Sequence, residues 1–84
     1  MYFFYVLKSV KDGRFYKGFS KDLEKRITRH NAGGVKSTKH RRPLILIYSE
    51  SFKAEKEARD REKWSKTFNG GVELKNIIAG FSGG

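Results

Sequence analysis

The chain has 84 residues, enough for one domain and too few for two. It contains no cysteine, which excludes a disulfide framework, a thiolate metal site and a cysteine nucleophile, and makes a reducing, cytoplasmic setting the expectation. Nineteen Lys and Arg against nine Asp and Glu give a net charge of +10, so a polyanion is the expected partner, nucleic acid first.

Tyr2–Ser9 is aromatic and β-branched, with apolar residues at both parities, which predicts a strand covered on both faces. Its apolar run is far shorter than the ~20 residues of a membrane span. Met1 leads into it without a basic segment or a cleavage site, so neither a signal peptide nor a membrane role is expected. Asp12-Gly13 signals a hairpin, and strand character resumes over Arg14–Phe19. Whether the turn has two residues or a wider loop, an unbulged hairpin keeps Tyr5 and Tyr16 on one face.

Ser20 offers an N-cap, with Asp22 in the first turn, and Leu23, Ile27 and His30 follow at helical spacing; the expectation is a helix over Ser20–Asn31. At about 100° per residue His30 falls on the apolar stripe and Arg26 at its edge, one turn away, while Arg29 points to solvent. Ala32-Gly33-Gly34 ends the helix. A loop follows that carries Lys36, Lys39, His40, Arg41 and Arg42 with no acid, up to Pro43. Charge is uneven along the chain: residues 1–50 hold twelve basic and four acidic groups, residues 51–84 seven and five.

Leu44–Glu50 is an apolar strand. A second helix from Lys53 to about Lys66 places Ala54, Ala58 and Ser65 on one stripe, with Glu62 beside it. Asn69-Gly70-Gly71 breaks it, Val72–Ala79 forms a short third helix, and Phe81 opens a frayed tail. The expected architecture is α/β (α+β), in the order β-β-α-β-α with a final helix, as one domain over 1–80 and a flexible tail over 81–84.

Two tyrosines, an arginine, a histidine and one glutamate thus converge where helices meet the sheet. A carboxylate beside a small-residue stripe needs a cation, whether arginine or metal; the plainer alternative is a surface pair with Lys66. Together these groups suit phosphodiester cleavage: a hard cation on the carboxylate, a guanidinium for developing charge, and a phenol or imidazole for the proton.

Phe3-Phe4-Tyr5, then Tyr16-Lys17-Gly18, then Arg26-Ile-Thr-Arg-His30-Asn31, then Lys36–Pro43 and Ala58–Glu62 make an ordered set over residues 2–66. The set resembles the GIY-YIG nuclease superfamily, and within it the small single-domain, excinuclease-like bacterial members. The first half-motif here reads Phe3-Phe4 where the family has glycine and isoleucine, and Lys17 replaces the second isoleucine. The resemblance implies a three-stranded antiparallel sheet flanked by helices and endonuclease activity on DNA, in repair or recombination, with Mg²⁺ or Mn²⁺. Tyr5 and Tyr16 match the tyrosines that handle the attacking water, and Gly18 the glycine that gives backbone room. Arg26 matches the phosphate-binding arginine, His30 the residue assisting proton transfer or phosphate contact, and Glu62 the sole protein metal ligand. Asn69 and Asn76 both stand where some members use a late asparagine. Lys17, Lys36, Lys39, His40, Arg41 and Arg42 are the expected nucleic-acid contacts; specificity is expected to be absent, to lie in a branched structure, or to come from a protein partner. The other readings are a non-cleaving nucleic-acid-binding module, a partner-dependent nuclease subunit and a basic RNA-binding factor.

Overall fold

A computed structural model describes residues 1–82. Three strands, β1 (Tyr2–Ser9), β2 (Phe15–Ser20) and β3 (Leu44–Phe52), form one antiparallel sheet in the order β2-β1-β3. Three helices flank it: α1 (Leu23–Asn31), α2 (Glu55–Ser65) and α3 (Phe68–Ser82). The expected α/β architecture is therefore the observed one. β1 is the central strand and is buried at Phe4, Tyr5, Val6 and Leu7 in succession, because helices cover both faces of this antiparallel sheet.

Alternation along β1 divides the interior in two. Tyr5 and Leu7 pack with Leu44, Tyr16, Leu23 and Ile27, beneath α1. Phe4 and Val6 pack with Leu74 and Ile78 of α3, joined by Phe15, Ile47, Tyr48, Phe52 and Trp64. Both faces of one strand serve as core, which is why its sequence shows no polar alternation.

The hairpin takes a wider loop than a two-residue turn: Lys8 pairs with Phe15, Tyr5 with Gly18 and Leu7 with Tyr16. Tyr5 and Tyr16 are therefore diagonal neighbours on one face, their ring centroids 6.5 Å apart. The loop closes on Gly13 at φ 72°, a left-handed backbone that glycine adopts without a Cβ clash.

Strand ends shift by one or two residues, with β2 running to Ser20 and β3 to Phe52, and the helices depart further from expectation. The first helix starts at Leu23, and its cap is Asp22, whose carboxylate accepts from the Lys25 N–H at 3.1 Å. Ser20 cannot cap because it pairs with Phe3 in the sheet; its hydroxyl instead closes the turn on Asp22. In α2 the expected stripe loses Ala54, which is the exposed cap residue before the helix, while Ala58 and Ser65 are buried.

The largest departure is α3. Asn69-Gly70-Gly71 does not break a helix but lies in the first turn of one running to Ser82. A Cβ on Gly70 would collide with the Trp64 carbonyl, so glycine there lets α3 start hard against the end of α2. The Thr67 hydroxyl accepts from the Gly70 N–H at 3.0 Å and donates to the Trp64 carbonyl at 2.7 Å, joining the two helices. The expected tail from Phe81 thus begins inside α3, and its last two residues, Gly83 and Gly84, lie outside the described residues.

Candidate active site

On the α1 face the side chains of Tyr5, Tyr16, Arg26 and His30 come together. His30 and Tyr5 are fully buried. The Arg26 Nε–H donates to the Tyr5 hydroxyl oxygen at 3.3 Å, and that hydroxyl lies 3.1 Å from His30 Nε2. His30 Nδ1 is 2.8 Å from Thr38 Oγ1, which is 3.4 Å from the Val35 carbonyl oxygen. A carbonyl only accepts, so a Thr38 hydroxyl donating to it accepts from Nδ1–H. Nε2 is then the acceptor of the Tyr5 proton. The result is a directed chain, Arg26 to Tyr5 to His30 to Thr38.

Electrostatics fit this direction. Burial, then the positive charges of Arg26 and Arg29, lowers the His30 pKa to about 4, so its imidazole is neutral at pH 7. Burial raises the Tyr5 pKa against the opposing pull of Arg26, so its phenol keeps its proton. Tyr16 completes the wall, its ring edge-on to His30 with centroids 4.9 Å apart. The hydrogen bond to Tyr5, with a smaller contribution from Tyr16, raises the Arg26 pKa against its partial burial. Among the described residues no carboxylate stands within 4.0 Å of Arg26. It is a partly buried cation held by phenols.

Gly18 is explained by the same packing. A Cβ there would sit 2.6 Å from the Tyr5 hydroxyl oxygen, so the ring needs a bare backbone beneath its tip.

Glu62 comes from α2. Its side chain is only 20% exposed, and among the described residues its one ion pair is with Lys66, with 3.7 Å between Nζ and Oε2. Its carboxylate accepts no hydrogen bond among the described residues, yet its charge reaches Tyr5 and tends to raise that phenol. The described residues contain no cluster of three His, Cys, Asp or Glu. A lone, loosely paired and mostly buried carboxylate fits a hard divalent cation that keeps several waters, and does not fit a full protein cage.

The remaining sequence candidates separate. Lys36, Lys39, His40 and Arg42 are exposed in the loop, whose Lys39–Arg41 forms a single 3-10 turn. Arg41 is committed to the hairpin: its Nε lies 3.3 Å from Asp12, and its Nη2–H donates to the Phe15 carbonyl at 3.4 Å. An open cleft of about 560 Å³ lies between hairpin and loop, lined by Lys11, Asn31, Lys39, His40, Arg42 and Pro43. Lys17 is not at the site. It alternates with Tyr16, points to the α3 face and donates to the Ser65 carbonyl at 2.8 Å, at the end of α2. Asn69 and Asn76 are both exposed on α3, and no hydrogen bond joins either to the Tyr5–His30 chain.

Sequence reading missed two residues of this region. Thr38 is fully buried and fixes His30, but it lies in an aperiodic loop where no spacing marks it. Asn31 bridges α1 to β3, its side chain accepting from the Leu44 N–H at 2.8 Å and donating to the Leu44 carbonyl at 2.9 Å. Its place next to His30 was the only available signal.

Residues 1–70 match the GIY-YIG catalytic domain. The chain is 48% identical over 80 residues to the UPF0213 protein SSP2268 of Staphylococcus saprophyticus, covering 94% of this chain and 96% of that one. It is also 48% identical over 66 residues to the UPF0213 protein YazA of Bacillus subtilis, covering 77% and 66% respectively. The solution NMR structure of the UPF0213 protein BH0048 from Bacillus halodurans superimposes with a TM-score of 0.55 at 31% identity, over 92% of this chain and 85% of that one. With that match spanning most of its length, and with the tyrosines, glycine, arginine and histidine of the motif gathered on one sheet face, the chain belongs to the GIY-YIG domain family.

Proposed function

We propose that the chain is a divalent-metal-dependent endonuclease that hydrolyses phosphodiester bonds in DNA. The observation that carries this reading is Arg26: a partly buried guanidinium with no carboxylate partner among the described residues, at the head of a proton chain that ends on a neutral imidazole. An anion would satisfy it, and a scissile phosphate is the anion that uses everything beside it.

In this reading Arg26 binds the phosphate and stabilises the charge that grows on it. A water held against Tyr5 and Tyr16 gives its proton to the Tyr5 oxygen as the Tyr5 proton passes to His30 Nε2. The incoming phosphate charge offsets the two arginines that depress His30, which makes the imidazole a better base once substrate is bound. Thr38 keeps Nε2 free to accept. Glu62 holds the divalent cation, which supplies Lewis-acid polarisation of the phosphate when bound. The exposed loop cations Lys36, Lys39 and Arg42 hold flanking phosphates without reading sequence.

Supercoiled plasmid tests this directly. The full chain is expected to nick it with Mg²⁺ and to stop on chelation, and Glu62→Gln is expected to bind DNA without nicking. DNA binding with no nicking under any divalent metal would instead favour a non-cleaving binding module.

A further inference from the structure

A second cleft, of about 700 Å³, lies on the sheet face opposite Tyr16, between the hairpin and α3. Arg14, Phe15 and Lys17 line one wall, and Lys75, Ile78 and Ala79 the other. Three of these six residues are cations and none is an acid. The apolar floor belongs to the core, since Phe15 packs against Ile78 and its neighbours. The proposed active site uses none of these groups.

The cations are crowded. Lys17 is partly buried, and burial together with the like charges of Lys75 and Lys66 lowers its pKa. Part of its role is structural, because its ammonium donates to the Ser65 carbonyl at the C-terminal end of α2. That bond uses one of three donors and leaves a neutral partner. Like charges held this closely around an open cleft are relieved by an anion bound between them. Arg14 and Lys75 are exposed and make no ion pair among the described residues.

Topology says which anion. β2 is an edge strand, with Tyr16 on one face and Phe15 and Lys17 on the other. Because β2 is the outer strand, a nucleic-acid strand held by Arg26 on one face can pass round β2 toward the cleft on the other. We infer that this cleft is a second phosphate-binding site, in which Arg14, Lys17 and Lys75 hold the backbone of a nucleic-acid strand that wraps the β2 edge from the active site. The inference rests on the nucleic-acid reading above and adds a second contact surface to it.

The test is binding of a twelve-nucleotide oligothymidylate to the full chain, without divalent cation, over a series of salt concentrations. Arg14→Gln with Lys75→Gln spares Lys17 and its bond to α2. Each lost contact to a single strand lowers the slope of log K against log salt by about 0.7, so this pair is expected to lower it by about 1.4. A charge-matched pair on exposed positions, Lys53→Gln with Arg59→Gln, is expected to change it by less than half as much. Equal changes in both pairs would mean bulk charge alone and would overturn the inference, as would no change in either. Backbone amide shifts separate the sources of phosphate: signals of residues 75–79 should saturate at far lower phosphate concentration with the oligonucleotide than with inorganic phosphate. Equal saturation would assign a small-anion site and overturn the strand. Because cleavage is not read, a chain that nicks plasmid but keeps its slope loses this inference alone. A chain that does not nick but shows the slope change keeps it.

Discussion

Two arginine centres flank the central strand, and they are built differently. On the α3 side Arg61 grips Glu50 through two hydrogen bonds, at 2.8 and 3.1 Å, while the Tyr48 hydroxyl donates to the same carboxylate at 2.5 Å. The Arg61 guanidinium also lies 3.7 Å from the centre of the Trp64 ring. This pair is neutral, bidentate and closed, and it fastens β3 to α2. On the α1 side Arg26 has phenols for partners, and among the described residues the nearby Glu62 is paired with nothing but a loosely held lysine. A folding protein gains by neutralising partly buried charges, and this one does so at Glu50–Arg61. Leaving Arg26 and Glu62 apart is unfavourable for the free chain, and the functional reading is that substrate and metal complete them.

Exchanging the two glutamates breaks or upholds that contrast most strongly. Glu62→Gln is expected to reduce cleavage at least about 10²-fold while the thermal midpoint holds or rises. Glu50→Gln is expected to do the reverse, costing about 1–3 kcal/mol of stability by stranding Arg61 and leaving cleavage per folded molecule unchanged. Thermal unfolding and plasmid nicking on both variants read the two effects separately. If both lose stability and neither loses activity, Glu62 is merely another structural pair.

The α1 centre also predicts a pH response. The folded pKa of His30, about 4, lies below its ordinary value of 6.5, so the unfolded chain takes up this proton first. Stability from this group is therefore complete above about pH 6.5 and is lost as pH falls toward 4. The full difference is about 3 kcal/mol. Urea unfolding across that range measures it, and His30→Gln should flatten the acid limb. An unchanged limb in the variant would place the titration elsewhere.

Thr38 gives a smaller effect. Thr38→Val keeps shape but removes the acceptor that holds His30 Nδ1–H, so cleavage should fall about tenfold or more with a shifted pH profile. Thr38→Ser should restore both, which a purely packing role would not require. Smallest are the loop cations. Lys39→Ala with Arg42→Ala should lower the salt slope for duplex DNA by about 1.8, whatever the sequence. Arg41→Ala should act mainly on stability, by at most about 1 kcal/mol, since that side chain is engaged with Asp12.

How far the sequence revealed this follows from the range of each signal. β1 was legible to the residue because a doubly buried strand has one unmistakable pattern. His30 and Arg26 were legible because helical periodicity places them relative to Leu23 without tertiary information. Ser20 misled because capping preference is local, whereas its pairing with Phe3 is decided by the hairpin register. Gly70 misled for a similar reason: the tight α2–α3 junction that needs it is a long-range fact, and locally two glycines read as a stop. The period-two rule that paired Tyr5 with Tyr16 also put Lys17 on the other face, so its exclusion from the site was available in the sequence. Thr38 was not available, because only the folded loop brings it to His30.

Arg26 is aimed at charge that develops during cleavage, and its neighbour Arg29 supplies the control. Arg29 shares the helix and the charge, but it is exposed and its Nε–H donates to the Gly34 carbonyl at 3.4 Å. Single-turnover cleavage with Mg²⁺ at saturating protein isolates the chemical step from affinity. Arg26→Ala is expected to slow that step about 10²–10³-fold, and Arg29→Ala to leave it within about twofold. Equal losses in the two variants would mean that the helix contributes only diffuse positive charge, and would contradict the active site described above.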